Sequence, residues 1–386
     1  MKWPNSVWLC VLAGLCCLLL AGCSGDGSSA DDQVVQSGAE PTVEELGLRL
    51  VPVELDLAGL SPAEIDQVAR GSYLVNGAGG CGGCHTTEAG YMAGGREFPV
   101  FFLPPDGEFA SVITRNLTPD PETGLLLTED EFIESVRTGK DFHDSTDENP
   151  QRLIFFSWHI FRFLSLDDLK AIFAFFQRIP PVRNTIRQNF NVPFPPVPFP
   201  PIGDGDPIND PNHAERGLLI PQFFSSGPEA DAFVAQFNAV VDGLTPAARA
   251  QVGRGSYLVN AIAGCNSCHT DGAGDGNFDN GLIPRTVDVN TALYLAGGVN
   301  LAPFIGLDAP LLSRNLTPHP DTGLFLTEAA FIQTLRFGAD FRRPGGSLRL
   351  EPHFPVEFQF TLDDLQAIFA YLQIIPAVSN DVTIMP

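Results

Sequence analysis

The strongest constraint on this chain is that its second half repeats its first. Gly71-Ser72-Tyr73-Leu74-Val75-Asn76 returns as Gly255-Ser256-Tyr257-Leu258-Val259-Asn260, and each copy runs into Cys-x-x-Cys-His-Thr. Arg115-Asn116-Leu117-Thr118-Pro119 matches Arg314-Asn315-Leu316-Thr317-Pro318, and Thr123-Gly124-Leu125 matches Thr322-Gly323-Leu324. Leu166-Asp167-Asp168-Leu169 with Ala171-Ile172-Phe173-Ala174 returns as Leu362-Asp363-Asp364-Leu365 with Ala367-Ile368-Phe369-Ala370. The spacing between copies lengthens after the Cys motif, which places an insertion just behind the second one. A chain of 386 residues therefore divides into two similar units, 61–187 and 244–386.

Each unit reads as helical. Ser61-Pro62-Ala63-Glu64 is a capping box with proline in the first turn, and Thr245-Pro246 opens the equivalent helix. Thr128 with Glu131 starts a middle helix, and Ser165 with Asp168 and Thr361 with Asp364 start the last ones. Leu169, Ile172, Phe173 and Phe176 recur at helical spacing and form a core stripe. Residues 188–243 join the units; Val192 to Pro201 alternates Pro with Phe and Val as an extended spacer, and a short helix from Pro228 to Val241 is expected to pack on the second unit.

The cysteine count narrows the chemistry. Lys2 and then an apolar run from Val7 to Leu20 have the length of a signal peptide, and Leu20-Ala21-Gly22-Cys23 resembles a bacterial lipobox. On that reading residues 1–22 are removed with Cys10, Cys16 and Cys17, Cys23 carries the lipid, and 23–60 is a tether whose start, Ser24 to Ser37, is rich in Gly, Ser and Asp. Ser24 in second place favours the outer membrane by analogy with sorting signals. Four cysteines remain, as two Cys-x-x-Cys pairs, with none left over for disulfides.

Cys81-Gly82-Gly83-Cys84-His85 and Cys265-Asn266-Ser267-Cys268-His269 have the spacing that attaches a c-type haem. Two thiols separated by two residues reach both vinyl groups of one porphyrin, and the following imidazole, His85 or His269, sits beneath the iron. Gly82 and Gly83 are expected to let the backbone turn tightly there. A zinc ribbon would bring the two pairs together, whereas each pair here has its own unit and its own His; a redox dithiol would want a strand-and-helix pattern that is not visible. Two haem c groups are the expected cofactors.

These residues also resemble the class I c-type cytochrome domains of the cytochrome c subunits of membrane-bound alcohol and gluconate dehydrogenases. The shared elements are the Tyr-Leu-Val helix, the turns Ala93-Gly94-Gly95 and Ala296-Gly297-Gly298, the Asn-Leu-Thr-Pro segment with Thr-Gly after it, and the final Asp-Asp-Leu helix. The resemblance covers roughly 61–187 and 244–380. It implies an all-α fold of two tandem cytochrome c-like domains joined by a Pro-rich linker, and a role as electron carrier. Arg115 and Arg314, with Asn116 and Asn315, are candidates for haem propionates or for ordinary loop structure.

The family pattern breaks at the distal ligand, usually a methionine just before the last helix. Met92 is matched by Leu295, which suggests a core position, and Met385 is nearly terminal. His353, in Leu350-Glu351-Pro352-His353-Phe354-Pro355, falls where that methionine would be. In the first unit Phe156 takes the place and His159 follows three residues later, with Met92, His143 or an open site as alternatives. Two bis-histidine haems would be low-potential carriers.

The formal charge of -24, from 46 acidic and 22 basic residues, excludes nucleic acid and favours a basic redox partner, a dehydrogenase or another cytochrome. Asp275, Asn277 and Asp279 mimic part of a calcium loop, but Asn280 stands where its glycine belongs and Thr286 closes it without a carboxylate. A solvated acidic loop is the simpler reading. The sequence thus points to a lipid-anchored, exported dihaem carrier rather than an enzyme; the rivals are a dihaem peroxidase-like oxidoreductase with one open haem site, and a gas or redox sensor.

Overall fold

A computed structural model describes residues 40–100, 110–143, 153, 158–186, 212–224, 227–271, 289–302, 310–339 and 359–382. Cys23, Phe156, His353, the Pro-rich spacer and the acidic loop after Asp271 lie outside them. The first repeat contains α1 (Val43–Leu50), α2 (Pro62–Ser72), a π-helical turn (Tyr73–Ala78), α3 (Gly82–His85), a β-hairpin, α4 (Glu129–Thr138), α5 (Trp158–Phe161) and α6 (Leu166–Phe176). The second contains α7 (His213–Leu219), α8 (Pro228–Val241), α9 (Pro246–Tyr257), a π-helical turn (Leu258–Ile262), α10 (Cys265–His269), α11 (Glu328–Phe337) and α12 (Leu362–Leu372).

The chain is mostly helical, as expected, with one addition. Strands β1 (Glu97–Val100) and β2 (Ala110–Ile113) pair antiparallel, Glu97 opposite Ile113.

Helix starts follow local chemistry. Ser61 and Thr128 each close a reciprocal capping box, with Glu64 and Glu131, and Ser165 and Thr361 accept the backbone N–H of Asp168 and Asp364. Gly139 and Gly338 end α4 and α11 in left-handed conformation.

The repeated blocks meet because two helices cross with backbones in contact. A Cβ at Gly71 would lie 1.9 Å from the Ala171 carbonyl oxygen, and one at Gly255 would lie 1.9 Å from that of Ala367. So α2 packs on α6, and α9 on α12, only because the first helix of each pair has no side chain at that point. Around these crossings Leu74, Val75, Leu169, Ile172 and Phe175, and their counterparts Leu258, Val259, Leu365, Ile368 and Tyr371, are buried.

A further helix, packed in the same way, precedes the first repeated block in each half. Within the stretch read as a tether, α1 packs on α2 at Gly47, whose Cβ would lie 2.0 Å from the Ala69 carbonyl oxygen. Within the stretch read as a linker, α7 packs on α9 at Gly217 in the same manner, 1.8 Å from the Gly253 carbonyl oxygen. The helix over Pro228–Val241 sits on the second repeat, Phe233 against Tyr294 at 5.2 Å and Phe237 against Tyr371 at 5.9 Å between ring centroids.

The repeats close on each other through a reciprocal polar exchange. Tyr257, in the second repeat, donates its hydroxyl to Asp168 of the first at 2.5 Å, and Tyr73 of the first donates to Asp364 of the second at 2.5 Å. Each acceptor is held in its own repeat by an arginine, Arg70 on Asp168 at 2.5 Å and Arg254 on Asp364 at 2.8 Å. Burial, and next the neighbouring aspartate charge, push both tyrosine hydroxyls well above their ordinary value, so they remain donors. Each tyrosine oxygen in turn accepts a backbone N–H, from Ser165 at 3.0 Å and from Thr361 at 3.3 Å.

Candidate functional site

Each Cys-x-x-Cys-His emerges from a π-helical turn, a wider coil that leaves the α-helical path directly before the motif. The tight turn lies ahead of the position expected for it, two residues before Gly82. Gly80 (φ 58°) and Gly264 (φ 59°), each immediately before the first cysteine, adopt the left-handed conformation. Gly82 is not strained, and a Cβ there would make only ordinary contacts, 3.5 Å from Thr86 Oγ1 and 3.7 Å from Met92 Cε.

The following turn of helix, α3 or α10, carries both thiols and the histidine of its motif. Cys81, Cys265 and Cys268 are half-buried and Cys84 is exposed. Burial pushes the Cys81 and Cys265 thiols up to about 12 and that of Cys268 up to about 11, the opposite of the depressed value that makes a nucleophilic dithiol. Among the described residues no three His, Cys, Asp or Glu side chains converge as a metal site, and the two Cys pairs remain separate.

The histidines are oriented identically. His85 Nδ1 bonds the Arg115 carbonyl oxygen at 2.8 Å, and His269 Nδ1 bonds that of Arg314 at 2.7 Å. A carbonyl only accepts, so each ring carries a proton on Nδ1; in the neutral ring that leaves the lone pair on Nε2, the state an iron ligand requires. Burial lowers the His85 value, which keeps that ring neutral. The histidine main chain is pinned as well, since Gly94 N–H donates to the His85 carbonyl and Gly297 N–H to the His269 carbonyl, at 2.8 and 2.7 Å.

This explains the Ala-Gly-Gly turns. Gly94 (φ 68°) and Gly297 (φ 74°) are left-handed, and a Cβ at either would fall about 2.5 Å from the Arg115 or Arg314 carbonyl group, the one that orients the histidine. The sequence singles out the Arg-Asn-Leu-Thr-Pro block, for propionates or for loop structure, but not its backbone, and it is the arginine carbonyl oxygen that does the orienting.

The asparagines of that block are structural. Asn116 bonds the Val182 carbonyl oxygen and caps its own loop at Thr118, and Asn315 does the same with Val378 and Thr317. Both are buried and engaged in these loop bonds, which favours the loop-structure alternative for them. Arg115 pairs with Asp141 at 2.5 Å.

Met92 and Leu295 are equivalent, fully buried, and share the same left-handed backbone (φ 56°), which makes both of them core residues. His143 is exposed. His159 lies on α5, which packs against the π-helical turn of the second repeat. The residues between the thiols differ. In the second motif Asn266 Oδ1 and Ser267 Oγ are buried with no hydrogen-bond partner among the described residues, polar atoms left for a bound group or water to satisfy. Paired thiols on one helical turn, an imidazole held through its Nδ1–H and, in the second motif, these unsatisfied atoms together suit a covalently held haem.

Comparison with known proteins follows the same line. The chain is 28% identical over 343 residues to the alcohol dehydrogenase (quinone) cytochrome c subunit of Gluconobacter oxydans, covering 85% of this chain and 59% of that protein. Cytochrome c subunits of dehydrogenases recur among the proteins it resembles. It is 27% identical to the gluconate 2-dehydrogenase cytochrome c subunit of Pantoea cypripedii over 58% of this chain and 43% of that one. It is 32% identical to the alcohol dehydrogenase (quinone) cytochrome c subunit of Gluconacetobacter polyoxogenes over 32% of this chain and 26% of that one. The chain thus spans well under two thirds of each of these proteins. No protein-family model matches it. Among the described residues no helix is long and apolar enough to cross a membrane.

Proposed function

We propose that this chain is a dihaem c-type cytochrome that passes electrons between a dehydrogenase and a second redox protein, and that it is exported and lipid-anchored at Cys23. The observation that carries the reading is the matched pair of Nδ1 bonds at His85 and His269, which fixes the same ring orientation in both Cys-x-x-Cys-His motifs. Cys81 and Cys84 hold one haem in this reading, and Cys265 and Cys268 the other. Each haem supplies one iron that cycles between ferric and ferrous states. The protein's own contribution would be to hold the imidazole in one orientation through its Nδ1–H and to present both thiols of a motif on the same helical turn. His353 and His159 are the proposed distal ligands, which lowers both potentials relative to methionine ligation. The acidic surface steers a basic partner.

The test is the mass and pyridine haemochrome of protein purified from a host that matures c-type cytochromes. Two haems per chain are expected; a colourless product of bare polypeptide mass overturns the reading. Near-infrared spectra of the ferric protein check the distal ligands, since a sulfur-to-iron band at both haems would exclude histidine. Phe156, standing at the methionine position, favours a peroxidase-like second reading. Rapid carbon monoxide binding at one reduced haem would support it, and two low-spin haems would exclude it.

A further inference from the structure

We propose that the junction between the repeats, rather than the Pro-rich connector, sets the separation of the two Cys-x-x-Cys-His segments, and that Tyr73 and Tyr257 are its positioning residues. Both tyrosines stand where a first helix passes into the π-helical turn leading to its own motif. Each places its hydroxyl in the other repeat, on the aspartate at the start of the last helix. The segment that would carry one haem is thereby tied to the helix that closes the other haem domain, and the tie is made twice in opposite directions.

Direct packing reinforces it. The Gln359 N–H donates to the Gly77 carbonyl at 2.8 Å, and a Cβ at Gly77 would lie 2.8 Å from the Gln359 carbonyl oxygen, so the main chains of the two repeats touch there. A Cβ at Gly79 would lie 3.1 Å from Ile262 Cδ1, which brings the chain two residues before Cys81 against the chain three residues before Cys265. Ile160 of α5 packs on the Gly264 position, next to Cys265.

Buried tyrosine-to-carboxylate bonds are expensive to break, because the aspartate is left short of a donor in a water-poor site. The arrangement differs from two domains that meet only through a tether, where separation depends on connector length.

This inference rests on the dihaem reading only in its magnetic test. A protease site placed in the Pro-rich spacer of the full chain is cut, and the halves are run on a gel-filtration column. They are expected to co-elute; separation on cutting overturns the proposal, and this result needs no haem. In the holoprotein, lengthening the spacer with Gly and Ser is expected to leave the iron-to-iron dipolar coupling unchanged, and a coupling that falls with spacer length overturns the proposal. Tyr73→Phe and Tyr257→Phe are each expected to weaken the association of the cut halves by about tenfold or more while haem content and the spectrum of each haem stay as in the parent. Halves that associate equally well with both tyrosines replaced would remove them from the positioning role. If the double variant does not fold, each single variant and the lengthened spacer still decide the matter. A parent lacking two haems would sink the dihaem reading while leaving the co-elution result intact.

Discussion

Tyr257 reaches across from the second repeat to hydrogen-bond Asp168 of the first, and the same carboxylate holds Arg70 at 2.5 Å and His213 at 3.1 Å. Asp364 has a tyrosine and an arginine in the matching places, but α1 carries Val43 where α7 carries His213. The duplicated junction is therefore chemically asymmetric, with an imidazole on one side alone.

Asp168 makes stability depend on acid. Burial would raise its carboxyl value, but the bond from His213 and the charge of Arg70 override this and hold it well below the ordinary 3.8. A depressed folded value lends stability that is fully present above the unfolded value, near pH 4, and is lost as pH falls through the folded one. Asp168→Asn should lower the melting temperature at neutral pH and flatten the acid limb below pH 4. A parallel acid limb in parent and variant would contradict this.

Two glycines with similar backbones should respond differently to alanine. Gly59 has φ 78° with open space around its missing Cβ, so Gly59→Ala should cost about 1–2 kcal/mol from conformation alone. Gly94 has φ 68° and a Cβ there would lie 2.4 Å from the Arg115 carbonyl oxygen, so Gly94→Ala adds a steric overlap. It should cost several kcal/mol more in urea unfolding, and it should also lower haem incorporation at the first motif by displacing the His85 acceptor.

The helix crossing at Gly71 gives a third expectation. A Cβ 1.9 Å from the Ala171 carbonyl oxygen cannot be accommodated without separating α2 from α6. Gly71→Ala should destabilise by at least the ~1–3 kcal/mol typical of overpacking, and Gly255→Ala should do the same through Ala367. Circular dichroism melts of both variants check it.

The thiols can be separated by chemistry. Cys84→Ser should leave the first haem on a single thioether, with one vinyl group still conjugated. The pyridine haemochrome would then be a composite of a shifted band and an unshifted one from Cys265 and Cys268. A single unshifted band would refute attachment at Cys84.

Much of this architecture is legible in the sequence because local rules coincide with tertiary ones. The capping boxes at Ser61 and Thr128 start helices where they are expected, and the stripe of Leu169, Ile172 and Phe176 is buried. Elements whose signal is nonlocal stay hidden. Val43–Leu50 does carry a local signal, a capping box of Thr42 with Glu45, but it is short, contains a glycine and has no matching block in the second half to mark it; its place against α2 depends on the absent side chain of Gly47. The hairpin over Glu97–Val100 and Ala110–Ile113 includes Pro99, which weakens a strand pattern. At the candidate site the motif residues are legible by spacing, but the atoms that orient them belong to the backbone 30 and 45 positions away. The inter-repeat bonds join Tyr73 to Asp364 over 291 positions, beyond any periodicity.

The choice of a main-chain oxygen to orient each imidazole has an evolutionary consequence. No exchange of side chain at position 115 or 314 deletes that acceptor, so drift at those residues leaves the ring facing the same way. Vulnerability moves instead to Gly94 and Gly297, where one added methyl group would push the carbonyl aside. A lineage could vary the surface around either histidine freely while remaining locked at two residues that take no part in the chemistry.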